Sequence, residues 1–312
     1  MTFDHLDGLI SAPFTPIDSE GKLNLSIIPS YYRFLKSNGV RGAFICGSTG
    51  EGVSLTLTEK KEVAEAWAEC TDQDPGFKVM MFLGGTCIAD CIDLAQHARD
   101  IGLYAVSFTG PFYFKPVNAS VLADCCKAVA DSVQDMPFYY YHIPVLSGVN
   151  IAMLELLKEV DGKIPNFAGV KYTHEDFMDF QSCMTFQAGK YDMLWGRDEN
   201  MLSALALGTK GAVGSTFNYA APLYYSLIEA FQQNNLSLAA ELQQTAIDMI
   251  RLLGKYGGIS VGKAYMKVVG LDCGEFRLPV KNMSASQFEE FKADVALLGF
   301  DKFKSIEAEL II

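Results

Sequence analysis

Short apolar runs punctuate the chain, and longer amphipathic stretches fill the gaps between them. The runs are Gly8–Phe14, Gly42–Cys46, Lys78–Leu83, Ala105–Phe108, Pro137–Tyr141, Phe167–Lys171, Met193–Trp195 and Gly211–Gly214, eight candidate strands in all. Runs this short read as buried strands. The intervening segments carry helical spacing: Leu25–Ser37, Thr58–Cys70, Ile88–Ile101, Ala119–Val133, Ile151–Val160, Glu175–Ala188 and Asn200–Leu207. Alternating βα units predict a parallel sheet with helices outside it. Eight such units in roughly 220 residues fit a closed (β/α)8 TIM barrel, whose usual size is about 250 residues. The competing architecture is an open doubly wound sheet, but no G-x-G-x-x-G follows the first strand. After the eighth strand the rhythm stops. Tyr219–Gln233 completes the barrel as its eighth helix, and Ser237–Lys255, Gly262–Val269 and Ser284–Leu298 predict a C-terminal helical extension. Asn234-Asn235 marks the boundary, giving a barrel over 1–233 and an extension over 234–312.

In such a barrel the active site lies where strands end and βα loops begin. The predicted strand ends are rich in chemistry. Strand two runs into Gly47-Ser48-Thr49-Gly50-Glu51-Gly52, and strand four into Pro111-Phe112-Tyr113-Phe114. Strand five ends at Tyr141 before His142-Ile143-Pro144, and strand six ends at Lys171. Strand seven runs into Gly196-Arg197-Asp198-Glu199, and strand eight into Ser215-Thr216-Phe217-Asn218. Hydroxyls, a lysine, tyrosines and carboxylates therefore converge on one mouth. Lys171 matters most. Burial disfavours the ammonium and lowers its pKa. A neutral lysine condenses with a ketone to a Schiff base, an electron sink that needs no metal.

Each candidate also has a plain structural reading. Gly47–Gly52 lacks the lysine of a P-loop. It is either a βα turn that caps a helix or a cradle in which Ser48, Thr49 and freed N–H groups hold a carboxylate. Tyr139 and Tyr141 share one face of strand five, and Tyr140 and His142 the other. A phenol at a strand end can relay a proton, but the pattern alone does not choose Tyr141 over Tyr139. His142 reads as structural. Asp198 and Glu199 read as helix-start carboxylates, stabilised by the helix dipole. The role of Arg197 stays open. His5, His97, His142 and His174 are scattered without metal-ligand spacing.

Taken together, Gly47-Ser48-Thr49-Gly50-Glu51, Tyr141-His142-Ile143-Pro144, Gly169-Val170-Lys171 and Gly214-Ser215-Thr216-Phe217-Asn218 resemble the N-acetylneuraminate lyase branch of the pyruvate-dependent class I aldolases, a group that also contains dihydrodipicolinate synthase. The likeness runs from Gly8 to about Pro279. It implies that Lys171 forms the Schiff base, that Tyr141 moves the proton, and that Ser48 and Thr49 hold the pyruvyl carboxylate. Thr173, Gly196, Asp198, Glu199 and Ser215 resemble the sugar-contacting positions. No cofactor or metal is implied beyond the covalent lysine adduct. The substrates implied are N-acetylneuraminate, pyruvate and N-acetylmannosamine. The family is typically a homotetramer, and Tyr113 resembles an aromatic that some relatives lend to a neighbouring subunit. Dihydrodipicolinate synthases carry an arginine soon after the strand-five tyrosine, whereas Ile143–Gly148 has none and its Pro-x-x-Ser-Gly pattern resembles the lyases. A 2-keto-3-deoxy sugar acid aldolase and a non-catalytic sialic acid sensor are the other readings.

Composition narrows the partners. A chain of 312 residues, 50% hydrophobic and 20% charged, suffices for a large core. A net charge of -12 argues against nucleic acid and anionic membrane surfaces. The N-terminal residues lack a basic segment followed by an apolar one, and no run is long enough to span a bilayer. Eight cysteines without a C-x-x-C pair predict reduced thiols and a cytoplasmic protein.

Overall fold

The structure, a computed structural model, describes residues 3–306. Eight parallel strands close in chain order: β1 (Gly8–Ser11), β2 (Gly42–Ile45), β3 (Lys78–Gly84), β4 (Ala105–Phe108), β5 (Phe138–His142), β6 (Phe167–Tyr172), β7 (Asp192–Trp195) and β8 (Gly211–Gly214). The seam pairs β1 with β8 from Gly8↔Gly211 to Ser11↔Gly214. That seam excludes the open sheet and makes the fold a (β/α)8 barrel. The helices are α1 (Ile28–Ser37), α2 (Leu57–Thr71), α3 (Ile88–Asp100), α4 (Ala119–Ala130), α5 (Pro144–Ser147), α6 (Met153–Val160), α7 (Phe177–Thr185), α8 (Met201–Ala206), α9 (Phe217–Gln232), α10 (Leu236–Tyr256), α11 (Val261–Val268) and α12 (Ala285–Leu297). The last three form the helical extension, whose final positions 307–312 lie outside the described residues.

Strand alternation sorts side chains into two cores. On β2, Ala43 and Ile45 face the helical layer while Phe44 faces the lumen. On β5, Phe138 and Tyr140 face out while Tyr139 and Tyr141 face in. Where strands approach most closely, glycine is required. A Cβ on Gly169 would lie 1.9 Å from the Asp192 carbonyl oxygen of β7. The extension docks on α9: the Tyr265 ring of α11 stacks on Tyr219 at 4.5 Å, and Phe291 of α12 meets Tyr265 edge-on at 4.8 Å. Such aromatic contacts add to the area they bury.

The elements depart from their predicted bounds for local reasons. The first strand ends at Ser11 rather than Phe14, because Pro13 has no N–H to continue a ladder. The stretch Glu175–Ala188 begins as helix only at Phe177, where Asp176 accepts the Asp179 N–H, and its regular turns end at Thr185 before Gln187 takes a positive φ of 50°. The four-residue α5 is too short to register as periodicity.

Candidate active site

Tyr141 and Lys171 are register partners at the ends of β5 and β6, and both point into the lumen mouth. Lys171 Nζ lies 3.8 Å from the centre of the Phe44 ring and 4.1 Å from that of Tyr141. The residue is only 3% exposed, and among the described residues no carboxylate pairs with it. Burial pushes its pKa down from 10.5 to about 7, and the charge of Asp198 opposes that shift. The amine is thus held near neutrality by an apolar, aromatic wall, the condition for a nucleophile at ordinary pH.

Tyr141 packs edge-on against Phe44 at 5.3 Å and Phe82 at 5.5 Å. Burial pushes its phenol up to about 12, while the hydroxyls of Ser48 and Thr173 act the other way. The group is a neutral phenol ringed by hydroxyls, suited to passing a proton rather than carrying a charge. Tyr139 occupies the same face two residues deeper, and its hydroxyl donates to Asp192 at 2.9 Å. Asp192 also accepts the Leu6 N–H at 3.1 Å. Tyr139 therefore belongs to the barrel floor, whereas Tyr141 lies at the mouth beside Lys171. His142 faces outward, 4.9 Å from the Tyr172 ring and 5.5 Å from that of His174. Burial lowers its pKa to about 3, so it stays neutral.

The turn after β2 presents Ser48, half-buried, and Thr49, buried. It folds back on itself through Gly52 N–H to Gly47 C=O at 3.1 Å and Glu51 N–H to Ser48 C=O at 3.2 Å. On the other side of the mouth, Thr173 follows β6, and its buried hydroxyl makes no hydrogen bond of good geometry with the described residues. Gly196 lies directly beneath it: a Cβ there would sit 2.0 Å from Thr173 Oγ1. Asp198 is 6% exposed. Its Oδ2 accepts the Thr216 N–H at 2.9 Å and the Thr216 hydroxyl at 2.7 Å. Burial pushes its carboxyl up to about 6 against those donors and Lys171. Its Oδ1 fits only because residue 214 is glycine, whose Cβ would lie 2.1 Å away. Glu199 is half-buried and pairs with Arg197 at 2.8 Å, and Arg197 also reaches Glu175 at 2.5 Å. The arginine that the sequence left undecided is thus held between two carboxylates. Ser215 is half-buried after β8, its carbonyl fixed by Asn218 Nδ2 at 2.7 Å.

Tyr113 stands apart from this cluster. It is 76% exposed on the loop after β4, edge-on to Phe114 at 5.1 Å. Sequence reasoning missed Phe44, Thr216 and the partners of Glu51. Phe44 could have been found from strand alternation. The Thr216 contact is long-range, and no spacing rule encodes it. Among the described residues no group of three or more His, Cys, Asp or Glu side chains is placed to hold a metal ion. No helix among them is long and apolar enough to cross a membrane.

A closed (β/α)8 barrel with a buried lysine at its C-terminal mouth defines the class of lumen-lysine barrels. The chain matches the model of the dihydrodipicolinate synthetase family over residues 5–297, and it belongs to that family. It is 38% identical to the N-acetylneuraminate lyase of Homo sapiens over 306 residues, which cover 97% of this chain and 95% of that one. Among solved structures, the N-acetylneuraminate lyase of Proteus mirabilis superposes with a TM-score of 0.92 at 38% identity, covering 95% of this chain and 100% of that one. The lyase of Aliivibrio salmonicida gives 0.92 at 36% identity, with 96% and 98% covered.

Proposed function

We propose that the protein is a class I aldolase that reversibly cleaves N-acetylneuraminate to pyruvate and N-acetylmannosamine. The observation that carries this reading is Lys171: buried, unpaired with any described carboxylate, and pushed to about 7 beside the Tyr141 ring. The absence of arginine from Ile143–Gly148 favours the sugar substrate over aspartate semialdehyde, because guanidinium is the natural partner for a second substrate's carboxylate.

Lys171 Nζ attacks the C2 ketone of the open-chain sugar, and water leaves as the iminium forms. Ser48, Thr49 and the turn's N–H groups hold the adjacent carboxylate. The C3–C4 bond then breaks, and its electron pair flows toward the iminium nitrogen to give an enamine. Tyr141 takes the C4 hydroxyl proton while passing its own toward the carboxylate held at Ser48, so C4 becomes the aldehyde of N-acetylmannosamine. A proton returns to C3, and water hydrolyses the imine to release pyruvate. Thr173, Gly196, Asp198, Glu199 and Ser215 line the side that receives the polyol tail. The adduct itself supplies the electron sink, so this scheme uses no metal and no separate cofactor. We further propose a cytoplasmic homotetramer in which Tyr113 reaches a neighbouring subunit's mouth.

The test is pyruvate release from N-acetylneuraminate by wild type, Lys171→Ala and Lys171→Arg, together with borohydride trapping in the presence of pyruvate. Wild type is expected to turn over and to carry a stable adduct on Lys171. Both variants are expected near background, since guanidinium stays protonated and forms no imine. An adduct on another lysine, or a preference for aspartate semialdehyde over N-acetylmannosamine in the condensation direction, overturns the assignment.

A further inference from the structure

The turn that carries Ser48 and Thr49 is gripped from outside the barrel. Glu51 closes that turn in a left-handed conformation, φ 57°. The next residue must be glycine, because a Cβ on Gly52 would lie 1.6 Å from the Cys46 carbonyl oxygen. The Glu51 carboxylate is engaged by two residues of the C-terminal extension. Its Oε1 accepts from Lys263 Nζ at 2.8 Å and its Oε2 from the Arg277 N–H at 2.9 Å. The side chains of Glu51 and Lys263 are only 3% and 2% exposed. Lys263 Nζ also donates to the Glu275 carbonyl at 2.9 Å and lies 4.7 Å from the centre of the Phe276 ring. The Arg277 guanidinium continues the grip onto Glu59 of α2, with both contacts within 3.0 Å.

A buried ion pair is a poor way to add stability, since a well-packed apolar pair often does as well. Its strength is directional. Every charged atom of this pair has a partner, and the partners fix where the Glu51 backbone sits. Glu51 N–H in turn holds the Ser48 carbonyl at 3.2 Å. The geometry points to Glu51 and Lys263 as positioning residues: the C-terminal extension clamps the carboxylate cradle, and the clamp sets affinity for the pyruvyl carboxylate. This rests on the reading of Ser48 and Thr49 as that cradle.

The test replaces Glu51→Gln and Lys263→Met together, so that no lone charge is left buried. Steady-state condensation of pyruvate with N-acetylmannosamine is then measured beside borohydride trapping. A merely structural role lowers the active fraction, which reduces kcat and leaves KM unchanged. The clamp instead predicts a pyruvate KM raised about tenfold, the loss of one charge-assisted hydrogen bond. The KM for N-acetylmannosamine should stay within about twofold, since the cradle does not hold that substrate. Arg277→Met, which loosens the half-exposed outer end of the grip, gives a second variant that does not disturb the buried pair. Its pyruvate KM is expected to rise in the same direction. A pyruvate KM unchanged in both variants, while the wild type forms its Lys171 adduct, overturns the clamp alone. Failure of the wild type to form the adduct overturns the underlying functional reading and the clamp with it.

Discussion

Under the proposed mechanism, protonation of Lys171 is expected to set the acid side of the rate profile. Lys171 titrates near 7 and Asp198 near 6, both displaced chiefly by burial. Below about pH 7 the amine is protonated and cannot attack, so adduct formation should fall about tenfold per unit. Above it the rate should level off. A rate of pyruvate trapping that still climbs steadily between pH 8 and 9 would mean that the lysine is not desolvated as described. Glycines give a second residue-scale expectation. Gly214→Ala places a methyl group 2.1 Å from Asp198 Oδ1 and 2.7 Å from the Phe217 ring, so the carboxylate must move. Misplacement on the ångström scale can cost about 10²-fold. Gly214→Ala is expected to lose sugar turnover by that order while still trapping pyruvate; loss of trapping as well would show that the damage reaches Lys171. Lys171 was conspicuous in the sequence as a lysine closing an apolar run, but its reading as the nucleophile came from the other strand-end residues and the family resemblance. Phe44 was hidden among similar apolar neighbours, although its ring supplies part of the desolvation.

At the scale of elements, the sequence carried strand existence well and strand depth poorly. Period-two alternation put Tyr139 and Tyr141 on one face, as the structure has them. It could not say that they serve different ends of the lumen, since two residues advance a strand by about 6.6 Å. The expected outcomes differ accordingly. Tyr141→Phe should keep the pyruvate adduct and lose turnover by about 10²–10⁴-fold, the usual worth of positioned proton transfer. Tyr139→Phe removes a hydrogen bond from Asp192. It should lower thermal stability and leave kcat within a few-fold. A reversal of the two results would move the proton relay to the floor of the barrel. Helix starts carry a mark in the sequence where side chains cap them, although periodicity alone put the start of α2 at Thr58 rather than Leu57. Thr56 and Glu59 form a reciprocal box at α2, and Ser284 and Gln287 do so at α12. Helix ends that tighten or kink, as at Gln187, leave no comparable mark in the sequence.

The whole molecule joins a barrel to an extension that reaches back to the mouth. Gln243 of α10 donates to the Asp198 carbonyl at 3.3 Å and accepts the Leu202 N–H at 2.8 Å. The extension therefore touches the turns after both β2 and β7, contacts between distant stretches of chain that no local pattern announces. On the outer face of the mouth, Tyr113, Phe114, Val117, Val145 and Leu146 are all more than 60% exposed. Exposed apolar side chains on these loops support the proposed subunit interface. Sedimentation is expected to give four copies at working concentration, with Tyr113→Ala weakening turnover; a fully active monomer would rule out the shared tyrosine. The closing seam has a consequence for how the chain comes into being. β1 finds one of its two neighbours only when Gly211–Gly214 has been made. That is about two hundred residues after Gly8, or roughly 10–40 s of synthesis at ordinary elongation rates. Throughout that interval both borders of the growing sheet carry unpaired N–H and C=O groups, a template for pairing with another chain. The ring that protects the finished lumen thus closes only once its eighth strand has been made, and until then the half-made sheet stands open at both borders on the ribosome.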